Sequence, residues 1–385
     1  MSDVRRREFI ALLGGAAAAW PRAAHAEQAL AVGRIIPANR MTDWTKPGLT
    51  ARGGIPHRTT IFKTLSPLGG TQYDDPQIQA AIKACPDGQV VQLTAGVFRI
   101  NGGAGWQIPV FNRNNVTLRG VGPGKALSKG NGGVFVPDPT ATQLVKINST
   151  LASPIIAIIG VDPYQANVSV NLTAPAAKNS YSCTVTDVSA FSVGMFVLID
   201  QITNNHPDVF WGTFSDGPGG GSRRWYTRQD RSLGQIVEII AISGKTLTFA
   251  TPLHCTFDPV YTAQVTRFNP DLPTVQGVGI EDLYLYGDTG GHGMISMGNA
   301  AYCWIKHCEM HWINGHCINI ASCYRCEIRD SFIPRLYAPV EIVWRRMQSA
   351  RSPQSSCRSL GVLILYQFVP VRIGEMPEWS NGPVC

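Results

Sequence analysis

GHGMISMGNAAYCWIKHCEMHWINGHCINIASCYRCEIRDSFI, residues 291–333, repeats itself, and the interval of that repeat decides the fold. Shifted so that Cys303 falls on Cys326, the stretch also lays Met294-Ile295-Ser296-Met297 over Cys317-Ile318-Asn319-Ile320. The same shift lays Ile305-Lys306-His307-Cys308-Glu309-Met310 over Ile328-Arg329-Asp330-Ser331-Phe332-Ile333. An earlier copy, Ile280-Glu281-Asp282-Leu283-Tyr284-Leu285, precedes the one at Ile305 by a slightly longer interval. Each copy is a short apolar strand rich in β-branched residues, followed by a polar or small-residue corner. A period within roughly 20–50 residues and without a helical stripe indicates a solenoid. Strands this short make the expected unit one turn of a parallel β-helix.

Outward from that stretch, composition agrees. Charged residues are only 15%, while 39 glycines and 26 prolines demand many turns and leave little room for helix. Residues 1–26 form an export leader. Arg5-Arg6-Arg7-Glu8-Phe9-Ile10 is a basic start of twin-arginine form, Ala11 to Trp20 is weakly apolar, and Ala24-His25-Ala26 is a cleavage site. The apolar run is too short for a bilayer core of about 30 Å, so no stable membrane anchor is expected. The leader resembles bacterial twin-arginine signals, which implies the export machinery as a partner and a periplasmic or secreted location. The formal charge of the whole chain is +7. The leader holds Arg5, Arg6, Arg7 and Arg22 against Asp3 and Glu8, so the mature chain keeps a mild positive balance. That suits an acidic polymer without diagnosing one, and no nucleic-acid partner is expected.

Residues 27–67 are polar, broken by Pro and Gly, and read as an extended lead-in around the main body. Asp75-Pro76-Gln77-Ile78 then opens a helix, with Asp75 as the expected cap and Pro at the first helical position. Ile78, Ala81, Ile82 and Cys85 make one apolar stripe, and Pro86-Asp87-Gly88 ends it. Strands are expected at 89–93 and 97–100, joined through Thr94-Ala95-Gly96. Together with Val116-Thr117-Leu118-Arg119-Gly120, this stretch resembles the amino-terminal cap and first coils of the pectin-lyase-like β-helix superfamily. The resemblance implies a right-handed parallel β-helix, an all-β fold whose short capping helix plugs the open end. It also implies a polysaccharide as substrate class. The need for a plug is physical: the first coil would otherwise expose its apolar interior and a free strand edge. Gly120-Val121-Gly122-Pro123-Gly124 is read as a turn between coils, because no helix follows it to meet a phosphate.

Residues 165–275 have another texture. Strands are expected at 183–188, 195–199, 236–242 and 246–249, the last two joined by the hairpin turn Ser243-Gly244-Lys245. Hairpins are foreign to a parallel coil, so this is read as a small antiparallel insertion between cap and coils (68–164) and further coils (276–333). Phe210, Trp211, Arg223, Arg224, Trp225 and Tyr226 lie on its glycine-rich loop. Trp211 and Trp225 suit stacking on sugar rings, and Arg223 and Arg224 suit pairing with carboxylates. The competing reading, and the favoured one, has the aromatics pinning the loop and the arginines solvated.

Strand parity sets the candidate site. With Ile295 and Met297 inward, His292, Met294 and Ser296 face out; one coil on, Cys317 and Asn319 face out. Gly291-His292-Gly293 resembles the Gly-His-Gly segment of polygalacturonases, which implies His292 as a site histidine with Asp271 and Asp288 as carboxylate partners. Inverting hydrolysis needs paired carboxylates, and the arginine–lysine element of those enzymes is absent here. A turn histidine is the simpler reading. Cys303, Cys308, Cys317, Cys323 and Cys326 crowd beside His307, His311 and His316. Three readings stand in order: an interior ladder of small apolar residues, a disulfide between coils, and a metal site. No metal and no cofactor is expected. Residues 334–385 lose the period and read as a frame-shifted or otherwise foreign ending. Two functions follow from the resemblance: cleavage of an acidic, uronate-containing polysaccharide by hydrolysis or β-elimination, or a non-catalytic glycan-binding scaffold.

Overall fold

The computed structural model describes residues 47–101, 110–111, 113–124, 135–147, 154–159, 166–202, 231, 233–268, 274–288, 294–313 and 317–333. They are mostly strand with few helices. A strand, β1 (Ile61–Leu65), precedes helix α1 (Asp75–Ala84). A trio follows, β2 (Val90–Leu93), β3 (Gly96–Ile100) and β4 (Val110–Phe111), then a second, β5 (Thr117–Arg119), β6 (Thr142–Lys146) and β7 (Ile156–Ile159). Six strands of another kind come next: β8 (Ala166–Asn171), β9 (Ser182–Thr184), β10 (Phe196–Gln201), β11 (Leu233–Ser243), β12 (Thr246–Phe249) and β13 (Gln264–Phe268). The short β14 (Val275–Gln276) leads to β15 (Gly279–Glu281), β16 (Tyr284–Asp288) and β17 (Ile295–Gly298). Then β18 (Ala300–Ala301) leads to β19 (Trp304–Lys306), β20 (Glu309–Ile313) and β21 (Ile318–Ala321), and β22 (Glu327–Arg329) is the last.

Each trio deals its strands to three sheets in the same order. Sheet A runs β1-β2-β5-β15-β19-β22, sheet B runs β3-β6-β16-β20, and sheet C runs β4-β7-β17-β21. Every pairing within them is parallel. The intervals in the sequence are the registers of these pairings. Ile295 lies opposite Ile318 and Ile305 opposite Ile328, the offset that sets Cys303 over Cys326; Ile280 lies opposite Ile305, as its earlier copy requires.

This register stacks like on like inside. Val91, Leu118, Ile280, Ile305 and Ile328 from sheet A meet Phe98, Leu144, Leu285 and Met310 from sheet B. Ile156, Ile158, Ile295, Met297, Ile318 and Ile320 from sheet C complete one apolar cluster. Removing each such side chain from water contributes about 1.5–3 kcal/mol. The corners repeat as well. Asp282, His307 and Asp330 have φ of 58°, 50° and 50°, and Gly277, Tyr302 and Arg325 have 62°, 53° and 50°. A left-handed residue turns the chain sharply from one strand into the next, and Asp tolerates it better than most. Gly120 is required for a different reason: a Cβ there would sit 2.2 Å from the Asp282 carbonyl oxygen. That contact explains the glycine turn after β5.

Helix α1 buries Ile78, Ala81 and Ile82, with Cys85 just beyond, in the same cluster. Its cap differs from the expectation. The N-cap is Asp74, not Asp75, and its side chain makes no capping bond. The Asp74 carboxylate instead accepts from the N–H groups of Leu68 (2.9 Å) and Arg99 (2.7 Å), and Asp75 accepts from Asn101 N–H at 2.7 Å. Backbone donors on and just after β3 outcompete the helix's own amides and tie its start to the first trio.

Strands β8–β13 form a separate antiparallel sheet in the order β8-β13-β10-β11-β12-β9. The expected hairpin is present, with Ser243 opposite Thr246 and Gly244 at φ 56°. The expected strand at 183–188 is shorter, Ser182–Thr184, with Val185 bridged to Leu172. One face gathers Val170, Val197, Ile199, Val237, Ile239 and Val265. The other lays Phe196, Leu198, Ile236 and Phe268 on Leu49, Tyr302, Trp304 and Tyr324. The lead-in, where described, crosses the same ground. Arg52 pairs with Glu238 at 2.8 Å, and Arg58 donates to Thr117 Oγ1 (3.0 Å) and the Gly277 carbonyl (2.8 Å). Residues 1–46 and 334–385 lie outside the described residues, and with them the leader and the tail.

Candidate functional site

Of the residues expected at a site, His292, Asp271, Trp211, Arg223, Arg224 and Trp225 lie outside the described residues. Asp288 ends β16 opposite Ile313, and its side chain is likewise outside them. Ser296 and Asn319 are brought together: they pair directly between β17 and β21, both half-buried on the outward face. Two companions are corrected. Met294 and Cys317, expected outward, are 0% and 4% exposed and belong to the core. Both precede their strands by one residue. The Cys317 carbonyl accepts from the N–H groups of Met294 (2.8 Å) and Ile295 (3.1 Å), so the backbone bends there and strand parity does not extend to them.

The outward face of sheet B carries a further cluster of side chains that was not expected. Along β16, Leu285 points in and Tyr284 and Tyr286 point out; along β20, Met310 points in and Glu309 and His311 point out. Register sets Tyr284 beside Gln143 and Glu309, and Tyr286 beside Val145 and His311. The rings form a row across the strands. Phe135 lies 5.2 Å from Tyr286 and 6.3 Å from Tyr284. Tyr284 stacks on His311 at 5.1 Å and 16°, and His311 lies 6.0 Å from Phe332. His311 Nε2 bonds Glu309 Oε1, which fixes the imidazole plane against Tyr284.

Tyr284, Tyr286, Glu309 and His311 are each at most 8% exposed, whereas Phe332, at the end of the row, is 43% exposed. The side chains of Tyr284, Tyr286, Glu309 and His311 are therefore packed away from water, and the row reaches solvent at its two ends, half-buried Phe135 and exposed Phe332. Only the end rings can stack on the C–H face of a sugar, and the covered carboxylate–imidazole couple holds the row in place. The signal lay in the sequence copies already aligned: Tyr284-x-Tyr286 and Glu309-x-His311 are the outward positions of one register.

The cysteines do other work. Cys183, Cys308 and Cys317 are buried and Cys255 half-buried, and burial pushes each of these thiols up to about 12, which makes them poor nucleophiles. Among the described residues no group of three or more His, Cys, Asp or Glu is placed to hold a metal ion. Nor is any described helix long and apolar enough to cross a membrane. Arg119 Nε and Trp304 Nε1 both donate to Glu281 at 2.7 Å, and this network fastens the outer face of sheet A.

No protein-family model matches the chain, and no curated protein matches it. Among solved structures it is similar to the tailspike of Pseudomonas phage phi297, at 13% identity and a TM-score of 0.37 over 67% of this chain and 38% of that one. It is also similar to the tailspike of Acinetobacter baumannii bacteriophage AP22, solved in complex with A. baumannii capsular saccharide. There the identity is 11% and the TM-score 0.35, over 68% and 44% of the two chains. A polygalacturonase from Erwinia carotovora ssp. carotovora matches at 11% identity and a TM-score of 0.20, over 72% and 56%. The chain thus spans less than two thirds of the length of each.

Proposed function

We propose that this chain is an exported, polysaccharide-active protein built as a right-handed parallel β-helix. In this reading α1 is the plug over the first coil, and the outward face of sheet B is the wall a glycan lies against. The observation that carries it is the row Phe135, Tyr286, Tyr284, His311 and Phe332 with Glu309 bonded into it. Sugar rings present apolar C–H faces between hydroxyls, and the accessible rings at the ends of the row, Phe332 above all, complement those faces. The exposed Phe332 end is where a glycan chain would first meet the strip. The interior is filled with side chains, so binding belongs outside it. The leader in residues 1–26 supports export to the periplasm or beyond.

The substrate class we favour is an acidic polysaccharide, cleaved by hydrolysis or β-elimination. A second reading, binding without cleavage, is favoured by one specific observation. Inverting hydrolysis needs two carboxylates flanking the scissile bond, and among the described residues Glu309 is bonded to His311 in a closed strip rather than facing a second carboxylate. Titrating the protein with a panel of polyuronate and neutral oligosaccharides, while following reducing ends and the absorbance of unsaturated products, separates the readings. Phe332→Ala is expected to weaken glycan binding about tenfold, the loss of one stacking contact. Unchanged binding by Phe332→Ala would remove this wall from consideration.

A further inference from the structure

One interior column differs from its neighbours. Val116, Val278, Cys303 and Cys326 hold the same place on four successive layers. Gly279 N–H donates to the Val116 carbonyl (3.1 Å), Trp304 N–H to that of Val278 (2.9 Å), and Glu327 N–H to that of Cys303 (2.9 Å). In other columns a cysteine stands alone among the described residues. Cys308 lies between Leu283 and Ser331, Cys323 follows Ala300, and Cys317 neighbours Met294. Two cysteines stack directly only at Cys303 and Cys326 among the described residues. Neighbouring strands lie about 4.8 Å apart, inside the Cα separation of about 4.4–6.8 Å that a disulfide spans. Cys326 Sγ also lies 3.5 Å from the carbonyl oxygen of Ala300, the residue over which Cys323 stacks. Cys303 is 0% and Cys326 1% exposed, so no reagent reaches them once the layers have closed.

We propose that Cys303 and Cys326 are a cross-link site between layers, joined during folding when the chain meets a small-molecule disulfide such as oxidised glutathione. The Cys326 thiolate attacks one sulfur of that disulfide and expels a thiolate, leaving a mixed disulfide. The Cys303 thiolate then attacks the Cys326 sulfur and expels the second thiolate. The two protein thiols lose two protons and two electrons, and the small disulfide is reduced to two thiols. Cys323 lies within reach as the competing partner, and its pairing with Cys326 is the alternative the experiment must separate. This proposal is independent of the glycan reading.

The test refolds the full chain from denaturant with reductant or with a mixture of reduced and oxidised glutathione, then maps cross-linked peptides without reduction. The expected product is a Cys303–Cys326 peptide in the oxidised sample alone. It should persist in Cys323→Ala and vanish in Cys303→Val, a change the column tolerates because Val116 and Val278 already fill it. Oxidised wild-type protein should melt higher than reduced protein, and reductant should erase the difference; Cys303→Val should show none. Native reduced protein should resist the same oxidant. Cys326 bonded to any other cysteine, no cross-link in wild type, or oxidation of the native protein as fast as during refolding would each overturn the proposal.

Discussion

His254 and Asp75 set opposite pH dependences in one acid window. Burial holds the His254 imidazole down to about 4 from an ordinary 6.5, and it bonds Gln235 Oε1 through Nδ1 at 2.7 Å. Stability from this neutral histidine is present above pH 6.5 and is lost as pH falls toward 4. Burial pushes the Asp75 carboxyl the other way, up to about 6 from 3.8, against the Asn101 N–H that favours its charge. Its contribution is present below pH 3.8 and is lost as pH rises through 6. Two outcomes follow for thermal melts. His254→Gln should flatten the fall in melting temperature between pH 6.5 and 4. Asp75→Asn should raise the melting temperature near pH 7.5 by about 2 °C and have no effect below about pH 3.8. Neither shift was legible in the sequence, because both depend on what surrounds the group. Met294 and Cys317 teach the same lesson: alternation along a strand predicts direction only while the strand lasts.

Trp304 on β19 shows why one element accepts only certain neighbours. Its ring covers the face of Gly279 on β15, where a Cβ would meet ring atoms at 2.4 Å. Gly279→Ala should therefore cost about 1–3 kcal/mol by overpacking. The penalty should shrink in the Trp304→Ala background, giving a coupling that denaturant melts of all four proteins would measure. Helix α1 was legible because its stripe and its Pro are local signals. The antiparallel core strands β10, β11 and β12 were legible from β-branched runs and a Gly-containing turn. Strands β8 and β13 were not: Ala166–Asn171 and Gln264–Phe268 hold few apolar residues, and pairing of β13 with β8 on one side and β10 on the other makes them strands. The corners at Asp282, His307 and Asp330 were visible as aligned letters, but their left-handed backbone was not.

At the scale of the molecule, the shared interior makes the layers interdependent. Ile305 lies between Ile280 and Ile328, so Ile305→Ala should cost about 2–5 kcal/mol, read from denaturant melts. The parallel register was legible because one interval governs sequence and space alike. The candidate wall was harder to see. Inward positions must be apolar and announce themselves, whereas Tyr284, Glu309 and His311 matter only because register sets them side by side. The most direct test of the glycan wall is a crystal structure with the tightest-binding oligosaccharide from the panel. The expected result is a sugar stacked on Phe332, at the accessible end of the ring row on the outer face of sheet B. A glycan seated instead on the antiparallel sheet, or on the half-buried Ser296–Asn319 face, would contradict it.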